Sequence, residues 1–245
     1  MMSKKKVIIA DVDETICESC QPLSKEMAAE INRLLERGYM FAVISGTKKD
    51  YLLEMVSSQL NGKHYLLPTT GTQCIEVHSR DSHEELYKHT LTPSEKKEII
   101  IALEKTTDRF KIESLTTKED QIQDRETQIT LSAIGRSAPK EKKESYDTDC
   151  CKRKEWVDFL KTVLDEEKYE MNIAGTTSID ITRKGLDKGW GITQFAQQRG
   201  ILLSSILFLG DKTQPGGNDY PATKVVDFVA VKNPTETLRV LKELS

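Results

Sequence analysis

Two acidic stretches carry the residues most able to do chemistry. Asp11-Val12-Asp13-Glu14-Thr15 follows directly on the apolar run Val7-Ile8-Ile9-Ala10. Alternation along a strand sends the Asp11 and Asp13 carboxylates out on the same side. Two neighbouring acids repel, so they stay jointly ionised at low cost only beside a cation; otherwise one takes up a proton and becomes a general acid. On its own an Asp-x-Asp reads more simply as an ordinary strand exit. The second stretch changes that balance. Leu207-Phe208-Leu209 runs into Gly210-Asp211, then a glycine-rich loop, then Asn218-Asp219. Carboxylate and amide oxygens at a sheet edge, with glycines letting backbone approach, suit Mg²⁺ and phosphate oxygens; they do not suit zinc or a softer metal.

The surrounding pattern has to bring these stretches together. Val7–Ala10 reads as a strand buried on both faces. From Ser24 to Arg37, Met27, Ala28, Ile31, Leu34 and Leu35 recur at helical spacing up to Gly38, and Met40–Ile44 is a second apolar run. A right-handed crossover makes those strands parallel, so Asp11 and Ser45 are predicted neighbours on one sheet edge. A helix is predicted over Lys49–Leu60, with strands at Tyr65–Leu67 and Cys74–Val77 around Thr69-Thr70-Gly71. The pattern then turns α+β: helix Ser94–Phe110, alternation over Gln128–Ile134, a polar lysine-rich loop, helix Lys152–Glu166, and alternation over Ile173–Thr182. Buried apolar strands return at Ile206–Leu209 and Val225–Val231, followed by helix Thr235–Leu244. The expected fold is α/β: a Rossmann-like parallel-sheet core, residues 1–90 and 184–245, with an α+β domain inserted at 91–183.

Composition narrows the function. With 36 basic and 39 acidic residues in 245, the formal charge of −3 offers no general attraction for nucleic acid or anionic lipid. No apolar run approaches the roughly 20 residues of a spanning helix. The expectation is a soluble, cytoplasmic chain that binds neither nucleic acid nor membrane. Five cysteines form an odd set with a single C-x-x-C, Cys17-Glu18-Ser19-Cys20; reduced thiols are the simplest reading, and a redox role for that pair is the alternative.

Asp11-Val12-Asp13-Glu14-Thr15 is similar to the DxDGT signature of the haloacid dehalogenase superfamily of phosphotransferases. Gly210-Asp211-Lys212-Thr213-Gln214-Pro215-Gly216-Gly217-Asn218-Asp219 resembles the GDKTxPGGND of its eukaryotic phosphomannomutase branch almost letter for letter. The likeness continues through Ile134–Ser137, Ser178-Ile179-Asp180 and Gly185–Lys188. It implies that Asp11 is the nucleophile and Asp13 the acid and base. Mg²⁺ would rest on Asp11, the Asp13 main-chain carbonyl and Asp211, and Ser45 and Lys188 would hold phosphoryl oxygens. Asn218 and Asp219 would orient the loop and its waters. The inserted segment would be a cap in which Arg125 and Arg136 grip the distal phosphate of a small phosphorylated sugar, with Ser178 and Asp180 on its hydroxyls. A homodimer through that cap is a further implication.

This chain departs from the branch at several places. Glu14 replaces a glycine, Cys20 a phosphate-binding arginine, and Lys143 a cap arginine, keeping charge but losing the bidentate fork. Ser45 is phosphatase-like, Thr69-Thr70-Gly71 stands for Glu-Asn-Gly, and the chain is shorter after Tyr220-Pro221, which weakens any further cation site there. Three readings follow: a mutase interconverting mannose 6-phosphate and mannose 1-phosphate, a sugar-phosphate phosphatase, and a non-catalytic phosphosugar binder.

Overall fold

The run Val7–Ala10 becomes strand β1 in the computed structural model, which describes residues 5–19, 21–79 and 82–244. Helix α1, Lys25–Glu36, starts where the Ser24 hydroxyl accepts from the Met27 N–H, and buries Met27, Ala28, Ile31 and Leu34. Strand β2 is Met40–Ile44, helix α2 is Lys49–Met55, and a short 3₁₀ turn at Ser57–Gln59 completes the stretch expected to be one helix. Strands β3, His64–Leu67, and β4, Gln73–Ser79, follow, then a polar strand, β5, Ser82–Lys88, which periodicity did not reveal.

The inserted unit begins with helix α3, Pro93–Phe110, set by a capping box between Thr92 and Glu95. Strands β6, Ile122–Asp124, and β7, Ile129–Ser132, come next, and the lysine-rich stretch expected to be loop contains a helical turn at Lys140–Glu144. Helix α4, Cys151–Val163, leads to β8, Tyr169–Ala174, and β9, Ser178–Arg183. The alternating run expected over Ile173–Thr182 is thus a hairpin turned at Gly175, whose φ is +50°. Helix α5, Lys188–Arg199, strands β10, Ile206–Gly210, and β11, Asp227–Ala230, and helix α6, Pro234–Lys242, complete the chain.

Two compact units result, Met1–His89 with Leu186–Ser245, and Thr90–Gly185. In the first, the sheet order among the described residues is β11-β10-β1-β2-β3-β4-β5. The first five strands are parallel, while β4 and β5 return antiparallel. Ile8 and Ala10 pack with Ile31, Leu34 and Leu241 on one face; Val7 and Ile9 pack with Ile192 and Phe195 of α5 on the other. That double burial explains the unbroken apolar strands. Strand β11 was expected to be buried, but it is an edge strand with Phe228 45% exposed. The second unit has an antiparallel sheet, β6-β7-β9-β8. Ile129, Leu131, Ile179 and Ile181 meet Ile99, Leu103, Trp156 and Leu160 of α3 and α4, whereas the alternate residues Thr130, Ser132, Ser178 and Asp180 make up the polar face.

Candidate active site

Parallel pairing places the acidic residues. Ala10 pairs with Leu209 on one side and Val43 on the other, so Asp11, Ser45 and Asp211 leave the same edge of three adjacent strands. The Asp11 N–H still donates to the Leu209 carbonyl at 2.9 Å, extending the ladder to the carboxylate itself. Lys188 opens α5, whose N-cap Asp187 accepts from the Trp190 N–H at 2.8 Å. Its buried ammonium donates to Asp11 Oδ1 and Asp219 Oδ1, each at 2.5 Å. Asp219 Oδ2 accepts from the Lys212 N–H at 3.0 Å, which ties the glycine-rich loop down. Gly210 is required there: a Cβ would stand 2.5 Å from Asp219 Oδ2.

Carboxylate oxygens of Asp11, Asp211 and Asp219 lie within 4.8 Å of one another. Three carboxylates face the Lys188 ammonium, and the Lys212 ammonium lies 3.8 Å from Asp211 Oδ2, which leaves one formal negative charge in a largely buried group. Burial pushes the Asp11 carboxyl up to about 6, with Lys188 pulling it down and Asp219 pushing it further up. Burial works against the Lys188 charge too, but Asp11 and Asp219 outweigh it and hold its pKa above the usual lysine range. Asp211 is raised, chiefly by burial, and its Oδ1 is buried without a hydrogen-bond partner. An all-oxygen donor set with an orphaned carboxylate oxygen and excess negative charge fits a hard divalent cation such as Mg²⁺.

The other core residues named from the sequence surround this cluster by chain position. Asp13 is half-buried in a tight loop bridged to Cys17, and Glu14 takes the left-handed conformation, φ +59°, while its carboxylate accepts from the Ser19 N–H. Glu14 thus closes the loop on itself. Buried Ser45 accepts from the Thr47 N–H through its hydroxyl, at 3.2 Å. Asn218 is exposed beside buried Asp219. The sequence assigned Asp219 to orienting the loop; the geometry adds its ion pair with Lys188 and its membership of the carboxylate group. Of the thiol pair, Cys20 lies outside the described residues. Cys17 is buried, and burial with the Asp13 and Asp11 charges pushes its thiol up to about 12, far from a reactive thiolate.

In the inserted unit, Asp180 lies on the polar face within electrostatic reach of Arg125 in the loop after β6. Asp180 accepts from the Thr130 hydroxyl at 2.7 Å, and Ser178 faces Ser132 across the ladder. Burial lowers the Arg125 pKa, with Asp180 opposing and Arg136 adding to the fall. Its Nε is buried without a partner, and one terminal nitrogen donates to Gln123. Burial also raises Asp180, against the pull of Arg125. Arg136 is exposed, and the Lys143 ammonium donates to its carbonyl at 2.9 Å. The structure thus brings Asp11, Lys188, Asp211 and Asp219 into one group. Helix α5, which carries Lys188, is an element that periodicity missed, although Asp187 and Gly200 mark its two ends.

Comparison with known proteins bears on the family and the fold. Residues 29–245 match the family model for eukaryotic phosphomannomutase. Phosphomannomutase 2 of Dictyostelium discoideum is 23% identical over 248 residues, covering 98% of this chain and 97% of that one. The phosphomannomutase of Saccharomyces cerevisiae is 33% identical over 121 residues, 47% of this chain and 46% of its own. Among solved structures, ATP-bound Plasmodium falciparum IMP-nucleotidase aligns with a TM-score of 0.69 at 17% identity, covering 97% of this chain and 59% of that one. A haloacid dehalogenase-like hydrolase from Bacteroides thetaiotaomicron aligns at 0.60 and 15%, covering 97% and 98%. With the family model matching most of its length, the chain belongs to the eukaryotic phosphomannomutase family, and its fold is that of a haloacid dehalogenase-like hydrolase.

Proposed function

We propose that the chain transfers a phosphoryl group on a hexose phosphate through an aspartyl phosphate at Asp11, in the manner of a phosphomannomutase. The observation that carries this reading is the Asp11 carboxylate, held at 2.5 Å by a buried lysine and grouped with Asp211 and Asp219. One Asp11 oxygen forms a bond to phosphorus as the bond from phosphorus to the sugar oxygen breaks, and Asp13 gives that oxygen its proton. In the second half, Asp13 takes the proton from an attacking hydroxyl, which bonds to phosphorus and releases the Asp11 carboxylate. Lys188 and Ser45 bind phosphoryl oxygens. Asp11, Asp211 and the Asp13 main-chain carbonyl would hold Mg²⁺, which when bound offsets the charge on the transferring group. Arg125 and Arg136 grip the distal phosphate, Lys143 adds charge, and Ser178 and Asp180 take sugar hydroxyls.

The identity of the second attacker separates a mutase from a phosphatase. Relatives named phosphomannomutase favour return to the sugar. Lys143 favours water, because it stands in place of an arginine fork and its ammonium is committed to the Arg136 carbonyl. Fewer grips on a bisphosphate leave the aspartyl phosphate more open to hydrolysis. Mannose 1-phosphate with a trace of hexose bisphosphate decides the matter. Mannose 6-phosphate as product supports the mutase, stoichiometric free phosphate without isomer supports the phosphatase, and binding without turnover defeats both.

A further inference from the structure

Three consecutive residues at the end of β3, Thr69, Thr70 and Gly71, are left-handed, with φ of +46°, +63° and +83°. Two of them are β-branched, the residue class least suited to that region. The turn is held from every side. The Thr69 N–H donates to the Thr47 carbonyl at 2.9 Å and the Thr70 N–H to the Ser45 carbonyl at 2.8 Å, so both ends of the Ser45 loop are strapped to it. Thr69 and Thr72 share a hydroxyl hydrogen bond at 2.6 Å, and Tyr87 donates to the Gly71 carbonyl at 3.2 Å. Its other side meets α5 backbone to backbone. A Cβ on Gly71 would lie 2.6 Å from the Gly191 Cα, and one on Gly191 would lie 2.5 Å from the Thr70 carbonyl oxygen. Gly191 sits three residues, nearly one helical turn, after Lys188.

We infer that the Thr69–Gly71 turn is a positioning device that sets the Ser45 loop against the first turn of α5, and so fixes the two phosphoryl-oxygen contacts, Ser45 and Lys188, at their working separation. This rests on the proposed roles of those two residues. The left-handed backbone is what turns two N–H groups back toward the Ser45 loop while the carbonyl of Thr70 and the bare Cα of Gly71 meet the helix. Gly71 and Gly191 are then positioning residues acting through Lys188.

Wedges test it. Gly191→Ala adds a methyl group at a helical position where alanine is otherwise favoured, and Gly71→Ala pushes on the same gap from the opposite side. Inorganic phosphate binding to the full-length chain is measured with excess Mg²⁺, alongside KM and kcat for a hexose phosphate. Each wedge is expected to weaken phosphate about tenfold and to raise KM more than it lowers kcat. The double variant is expected to be no worse than about twice the stronger single, since both open one contact. Gly38→Ala is the control: φ there is +81° with nothing within 4 Å of the added carbon, so it strains the backbone and lowers Tm without touching phosphate affinity. Should Gly71→Ala fail to fold, Gly191→Ala against Gly38→Ala decides alone. Wedges that lower Tm yet bind phosphate as the wild type does overturn the inference. Wild-type phosphate binding without turnover of any hexose phosphate instead defeats the functional reading and leaves the wedge comparison standing.

Discussion

Lys188 is a buried cation between two buried carboxylates, and that local balance sets what each residue can do. Replacing Asp11 by Asn keeps the shape and removes the nucleophile. Turnover is expected to fall by about a thousandfold or more while phosphosugar binding persists, read by product formation against calorimetric binding; unchanged turnover would refute the assignment. Lys188→Met leaves Asp11 and Asp219 facing each other with no counter-charge, at a cost of about 3–5 kcal/mol. A lowered Tm is expected, partly recovered on adding millimolar Mg²⁺ because a divalent ion answers the same charge. A Tm indifferent to Mg²⁺ would count against a cation site. At this scale the sequence was legible where a motif is contiguous: Asp11, Asp13, Asp211 and Asp219 stand in two short stretches. The bond from Lys188 to Asp11 joins residues 177 apart and exists only through folding.

Among the elements, ion pairs tie separate segments of the inserted unit together. In the inserted unit, Glu95 at the third residue of α3 accepts from Thr92 and from Arg183 of β9. The Arg183 guanidinium foremost, against burial and with Thr92, holds its carboxyl down from 4.5 to about 2. A depressed carboxylate stabilises the fold above its unfolded pKa and loses that contribution as pH falls through its folded one. Arg183→Met is therefore expected to cost about 2 kcal/mol at pH 7, with the gap to wild type closing between about pH 4.5 and pH 2 in chemical denaturation. A gap constant with pH would show that packing, not charge, is lost. Arg153 and Asp147, 2% and 1% exposed at the side chain, form a second pair, and Arg153 also holds the Ala174 and Gly175 carbonyls of the β8–β9 turn. Arg153→Met is expected to destabilise by about 3–5 kcal/mol because Asp147 is left buried and unpaired. Element identity was legible wherever burial imposed a period, as in β1, α1, β2 and α3. It failed for α5, whose Gly189 and Gly191 and run of glutamines blur the apolar stripe, and for β5, a polar edge strand.

On the scale of the molecule, one chain builds three apolar clusters, one on each face of the larger sheet and one in the inserted unit. Entry to and exit from the inserted unit lie side by side, since Arg183 donates to the Thr90 carbonyl at 2.9 Å. Such an insertion disturbs the host sheet little, and residues 90–185 expressed alone are expected to fold with a cooperative thermal transition; a non-cooperative melt would show that the unit depends on its host. Periodicity and composition by themselves determined the α/β class, the inserted α+β segment and the acidic stretches, because strand burial and helix amphipathicity are written in local spacing. Tertiary structure alone decided the left-handed Thr69–Gly71 turn against α5, the edge position of β11 and the ion pairs linking Lys188 to Asp11 and Asp219. Those depend on which distant backbones approach closely enough to exclude a Cβ or bury a charge, and no local pattern records that distance.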